Sequence, residues 1–156
     1  MKMRKLKPMG MYMSRSIYVI GSLRNPEIPK IGNALRQAGF DAFDDWWGAG
    51  KFADDSWKEY EQERGRTYQE ALQGYAARQI FAFDKMHLDR CDMAVLVYPA
   101  GKSAHLELGY AVGKGKKTFV LVDNPDRWDV MLQFADEVVF SLEELLEKLN
   151  ETTNHT

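Results

Sequence analysis

Glu107 lies in the stretch Pro99-Ala100-Gly101-Lys102-Ser103-Ala104-His105-Leu106-Glu107-Leu108-Gly109-Tyr110, where an apolar run ends and a helical pattern begins. The run 93–98, Met-Ala-Val-Leu-Val-Tyr, reads as a buried parallel strand, and Ser103 is a suitable N-cap for the helix after it. This spacing predicts Glu107 in the first helical turn, at the carboxyl end of a sheet. Open α/β sheets take their ligands there, and the positive end of the helix dipole favours an ionised carboxylate. Such a carboxylate is a nucleophile for an electrophilic carbon. A first-turn glutamate is also ordinary dipole chemistry, but Gly101, Ser103, Gly109 and Gly113 are small and leave room for a ligand or a second helix.

A second group follows the first apolar run. Gly21, Ser22 and Arg24 present backbone N–H groups, a hydroxyl and a guanidinium at a sheet edge, which suits a phosphate or a ribose 5′-hydroxyl; a surface-paired arginine is the alternative. Trp46 and Trp47 sit among Asp44, Asp45 and Gly48, a polar setting that predicts one indole packed inward and the other free to stack on a nucleobase. Asp84 opens a helical run to Arg90, where an aspartate needs no function. His87 and His105 are within helical reach of Asp84 and Glu107, while Trp57, Tyr60, Tyr68 and Tyr75 read as core or oligomer contacts. Gly101-Lys102-Ser103 is no P-loop, because the required first glycine would fall at Leu96 inside a strand.

The totals narrow the partners. One core fits in 156 residues, 45% of them apolar, and a net charge of −2 provides no field for nucleic acid or an anionic membrane, so small molecules are favoured. The single cysteine, Cys91, excludes an internal disulfide and points to a reducing, cytoplasmic compartment. Three histidines with no partner at ligand spacing argue against zinc. No stretch reads as a signal peptide or a membrane span.

To position these groups the chain alternates strand and helix: strand 17–20, helix about 29–38 stopped by Gly39, strand 40–43, strand 93–98, helix 103–113, strand 117–122, short helix 127–134, strand 137–140 and helix 142–149. This predicts an α/β fold, a flavodoxin- or Rossmann-like doubly wound parallel sheet of about five strands; in the flavodoxin-like order 2-1-3-4-5 its first and third strands would be neighbours. Residues 44–91 form a helical cap between strands 2 and 3, with helices near 56–64, 67–78 and 81–90. One domain spans residues 17–150, between a basic flexible arm, 1–16, and a polar tail, 151–156. A crevice should open between the first and third strands, with the 21–25 and 101–103 segments as lips and Glu107 as floor.

Leu106-Glu107-Leu108-Gly109-Tyr110-Ala111, after an apolar strand and before Gly115-Lys116-Lys117, resembles the nucleophile signature of the nucleoside 2-deoxyribosyltransferases and the related nucleotide N-glycosidases. The resemblance covers about residues 17–149. It implies that Tyr18 orients the catalytic glutamate and that Asp84, in Phe83-Asp84-Lys85, assists proton movement at the base. It further implies a 5′-phosphate site at Gly21-Ser22-Leu23-Arg24 and Ser103. The transferases have an aspartate for the 5′-hydroxyl six residues before the nucleophile; Gly101 stands there in this chain, a departure away from plain nucleosides.

The resulting expectation is an enzyme of nucleotide salvage, cleaving the N-glycosidic bond of a 2′-deoxynucleoside or its 5′-monophosphate. A covalent deoxyribosyl-Glu107 intermediate would form without a cofactor and pass the sugar to another nucleobase. Catalysis would rest on Glu107, Asp84 and Tyr18, and binding on Gly21, Ser22, Arg24, Trp46, Trp47, Gly101 and Ser103. The resemblance also implies a homo-oligomer, a dimer or higher. Alternatives are a nucleoside 5′-monophosphate N-glycosidase, an NAD-cleaving enzyme and a non-catalytic nucleotide sensor.

Overall fold

The computed structural model describes residues 15–154, so most of the expected basic arm lies outside the described residues. Five strands form one parallel sheet: β1 (Ser16–Ile20), β2 (Asp41–Phe43), β3 (Met93–Val97), β4 (Lys117–Leu121) and β5 (Glu137–Val139), in the order β2-β1-β3-β4-β5. This is the flavodoxin-like 2-1-3-4-5 order, in which β1 and β3 are neighbours. The helices are α1 (Ile28–Gln37), α2 (Ala53–Glu63), α3 (Tyr68–Leu72), α4 (Tyr75–Arg90), α5 (Lys102–Gly113) and α6 (Leu142–Asn154). Short 3-10 turns occupy Asp45–Ala49 and Val130–Phe134, the second replacing the helix expected over 127–134. Among the described residues no helix is long and apolar enough to cross a membrane.

Side chains alternate across a strand, so each strand feeds two cores. Ile17, Val19, Met93, Val95, Val97, Phe119 and Val139 pack against Ile28, Ile31 and Leu35 of α1 and against Leu145 and Leu149 of α6. Tyr18, Ile20, Ala94, Leu96 and Val120 face the other way, with Leu88 of α4 and Ala104, Leu108 and Ala111 of α5. Both faces being covered explains why these strands read as nearly unbroken apolar runs. The same alternation turns Tyr18 toward α4 and α5, the helices that carry Asp84 and Glu107.

Several boundaries differ from expectation. The cap helices divide at Gly74, whose extended backbone caps α4, and not near residues 79–80; α4 is therefore one helix of 16 residues. Asp84 stands in its third turn, so it is no N-terminal dipole partner. Ser103 is not the N-cap of α5: that position is Gly101, with no side-chain cap, and Glu107 stands in the second turn. The last helix also runs on through Asn154, taking in the first four residues of the expected polar tail, with the Thr153 hydroxyl donating back to the Leu149 carbonyl at 3.2 Å. At the other end Arg15 donates to the carbonyls of Gly39 and Ala38 and lies over the Phe40 ring.

Candidate active site

The two lips at the carboxyl ends of β1 and β3 are joined at their roots by Asn25, the buried last residue of the 21–25 segment. Its side-chain amide donates to the Tyr98 carbonyl at 3.3 Å and its side-chain oxygen accepts from the Glu27 N–H at 3.0 Å. Its backbone N–H donates to the Ser22 carbonyl at 3.0 Å, and its own carbonyl accepts from the Trp47 indole at 3.0 Å. Asparagine suits this place because it carries a donor and an acceptor on one short side chain. Its place in the first lip was expected from the sequence; its bridge to the Tyr98 carbonyl was not.

Gly21 begins this lip for a packing reason. A Cβ there would stand 2.5 Å from Cδ1 of Ile28, so the absence of a side chain lets α1 close on the end of β1. A Cβ on Gly101 would meet nothing within 4 Å, so this position leaves open space beside the site. Ser103 and Arg24 are exposed, and Arg24 pairs with Asp55 of α2 at 3.3 Å.

Both indoles are anchored, where one had been expected free. Trp46 donates to the Val19 carbonyl at 2.7 Å and Trp47 to that of Asn25, and both pack half-buried against the core. Adjacent residues can do this because the 3-10 turn over Asp45–Ala49 directs both rings back under the sheet edge, where each N–H finds a carbonyl. The turn is fixed in turn by buried Asp44, which pairs with Arg36 and lies where a Cβ on Gly32 would be.

On the face of the sheet covered by α4 and α5 the three carbon-chemistry candidates meet. The Tyr18 side chain, fully buried on β1, faces the Glu107 carboxylate of α5, near enough for its hydroxyl to act on that carboxylate as a hydrogen-bond donor. Asp84 of α4 lies close enough for its charge to act on both. Burial, then the nearby Asp84 carboxylate, push the Glu107 carboxyl up to about 7, against the opposing hydrogen bond from Tyr18. Burial also raises Asp84, and burial with two facing carboxylates holds the Tyr18 phenol neutral far above its ordinary value. The expected effect of the helix dipole, to keep Glu107 fully ionised, is thus overridden: one turn deeper in α5, desolvation outweighs a field that fades beyond the first turn. Two neighbouring carboxyls with raised values and a neutral donor can attack a carbon, accept charge and move a proton.

The flanking histidines do other work. His87 stacks on Phe43 at 3.8 Å with an interplanar angle of 11°, and its Nδ1 accepts from Arg90 at 2.8 Å. Phe43 in turn touches Tyr18 at 5.4 Å between ring centroids, which seats α4 against β2 and β1. His105 donates through Nδ1 to the Gly101 carbonyl at 2.7 Å and accepts through Nε2 from Tyr98 at 2.9 Å, bracing the β3–α5 lip. It faces a cleft of about 1010 Å³ between that lip and the end of β4, lined by Lys102, Leu106, Asp123 and Arg127 among others but not by Glu107.

No protein-family model matches this chain, and no curated protein matches it. Solved structures do. A conserved protein from Enterococcus faecalis V583 superposes with a TM-score of 0.59 at 16% identity, over 88% of this chain and 98% of its own. The CMP N-glycosidase BcmB of Clostridium botulinum superposes with a TM-score of 0.53 at 14% identity, over 86% of this chain and 98% of its own. At such identities the likeness is one of fold, and it establishes that this chain has the doubly wound parallel α/β architecture that a nucleotide N-glycosidase also uses.

Proposed function

We propose that this protein cleaves the N-glycosidic bond of a nucleoside 5′-monophosphate, with Glu107 as the nucleophile. The observation that carries this reading is the convergence of Glu107, Tyr18 and Asp84 from three separate elements on the α4–α5 face of the sheet. The fold shared with a CMP N-glycosidase supports it, as does the motif around Glu107. In the first step a Glu107 oxygen bonds to C1′ while the bond from C1′ to the base nitrogen breaks, its electron pair leaving with the base. Asp84, beside the reacting pair, relays a proton from water to that nitrogen. Tyr18 keeps the attacking oxygen aimed. In the second step a water oxygen attacks C1′, its proton passes to Asp84, and Glu107 leaves as a carboxylate.

The phosphate would be held by Arg24, Ser22 and Ser103, with Gly21 and Gly101 giving it room; the absence of a carboxylate at Gly101 removes a charge that would repel it. The edges of Trp46 and Trp47 would border the base. Because Gly101, Ser103 and Arg24 are exposed, water reaches this crevice, which favours hydrolysis. Transfer of a 2′-deoxyribosyl group to an incoming nucleobase uses the same two steps and remains the second reading. It is favoured by the Leu106-Glu107-Leu108-Gly109-Tyr110 motif and by an exposed apolar surface, including Phe83, Met86 and Leu106, through which a homo-oligomer would close the crevice.

The test is incubation with ribo- and deoxyribonucleoside monophosphates and the corresponding nucleosides, with and without an acceptor base, and separation of products. Free base with sugar phosphate is expected; base exchange would select the transferase reading. Equal turnover by Glu107→Ala would remove both.

A further inference from the structure

Arg24 has one ion-pair partner among the described residues, and it comes from the cap: Asp55, in the first turn of α2, at 3.3 Å. The backbone beneath Arg24 is fixed. Its N–H donates to the Ser22 hydroxyl at 3.1 Å, and Asn25 ties the turn back to the Ser22 carbonyl and across to Tyr98. The two charged side chains, by contrast, are 69% and 57% exposed, so the pair is screened by water and exchangeable at little cost. Asp55 thus offers Arg24 a carboxylate on the cap side of the lip, where the guanidinium would meet a phosphate.

From this arrangement we infer that Asp55 is a specificity-determining residue that competes with the substrate phosphate for Arg24. The inference rests on the reading of the β1–α1 turn as the phosphate lip and deepens it. A phosphate dianion carries more charge than Asp55 and matches the guanidinium fork at two oxygens, so it displaces the carboxylate. Displacement unlatches the start of α2 from the lip, and the freed Asp55 then stands near a like charge. A ligand without a phosphate leaves the latch closed. Asp55 therefore lowers affinity for phosphate-bearing ligands and leaves affinity for neutral nucleosides unchanged. The opposite role, in which Asp55 holds Arg24 ready for phosphate, predicts the opposite sign.

Calorimetric titration of the full chain separates them. A deoxynucleoside 5′-monophosphate, the matching deoxynucleoside and inorganic phosphate are titrated into wild type, Asp55→Asn, Arg24→Gln and the double variant at one fixed salt concentration, after circular dichroism shows all four folded. Asp55→Asn is expected to tighten monophosphate binding about two- to fivefold, the range an exposed ion pair spans, with nucleoside binding unchanged. In the Arg24→Gln background the same substitution should have no effect. Weaker or unchanged monophosphate binding by Asp55→Asn, an equal gain for the nucleoside, a gain that survives loss of Arg24, or no monophosphate binding by any form would each overturn the inference. Tight, Asp55-sensitive binding with no bond cleavage would instead leave it standing and remove the proposed reaction.

Discussion

The buried side chain of Tyr18 on β1 faces the carboxylate of Glu107 on α5, two residues 89 positions apart in the chain that come together on one face of the sheet, where the hydroxyl acts on the carboxylate as a hydrogen-bond donor. This contact opposes the burial and the Asp84 charge that drive the Glu107 carboxyl up to about 7. Each of the three influences can be removed separately.

Tyr18→Phe and Asp84→Asn should shift Glu107 in opposite directions. Loss of the hydrogen bond moves its titration further up, and loss of the neighbouring negative charge moves it down. A carboxyl-carbon NMR titration of Glu107 in the two variants reads this without requiring activity; a common direction would contradict the assignment of causes.

The pH profile of kcat/KM should rise through about 7, because the attacking oxygen must be unprotonated. In Tyr18→Phe the rising limb moves to higher pH, and kcat falls about 10- to 100-fold, the range for losing a hydrogen bond to a charged group. A limb near the ordinary carboxylate value would place the titrating group elsewhere.

Glu107→Gln should lower turnover on the order of a thousandfold or more while making the protein more stable at alkaline pH. The sign follows from linkage. A carboxyl whose folded value is about 7, above its ordinary 4.5, binds a proton preferentially in the native state, so stability falls as pH rises between those values and stays lower above them. The cost of the ionised form is about 1–3 kcal/mol above pH 7. Thermal unfolding at pH 8 and pH 4.5 checks this: the variant gains Tm relative to wild type at pH 8, and the gain shrinks at pH 4.5.

Asn25→Ala should destabilise the chain by about 2–3 kcal/mol, since it strips the Tyr98 carbonyl and the Glu27 N–H of buried partners. Because the β1–α1 turn loosens with it, KM for a monophosphate should rise more than kcat falls. Urea unfolding and steady-state kinetics give the two numbers; a kcat effect alone would place Asn25 in the chemistry and not in the lip.

The sheet was legible in the sequence because its signals are local. Runs such as Met93-Ala94-Val95-Leu96-Val97 cover both faces of a parallel strand, and Gly39, with a φ of +95°, stops α1 where a side chain would be strained. The cap was legible only as helical. Its division at Gly74, the third-turn place of Asp84 and the inward packing of both Trp46 and Trp47 depend on partners far along the chain. Ser103 looked like a cap by type, yet the turn after β3 places the cap two residues earlier, at Gly101.

Sequence by itself determined the alternation and the residue types able to attack and protonate. Tertiary structure alone decided that Tyr18, Asp84 and Glu107 share one desolvated spot, that Asn25 joins the two lips and that Asp55 reaches Arg24. The physical reason is range: backbone preference and hydrophobic period act over a few residues, whereas burial and Coulomb coupling depend on distances that exist only after the chain has closed on itself.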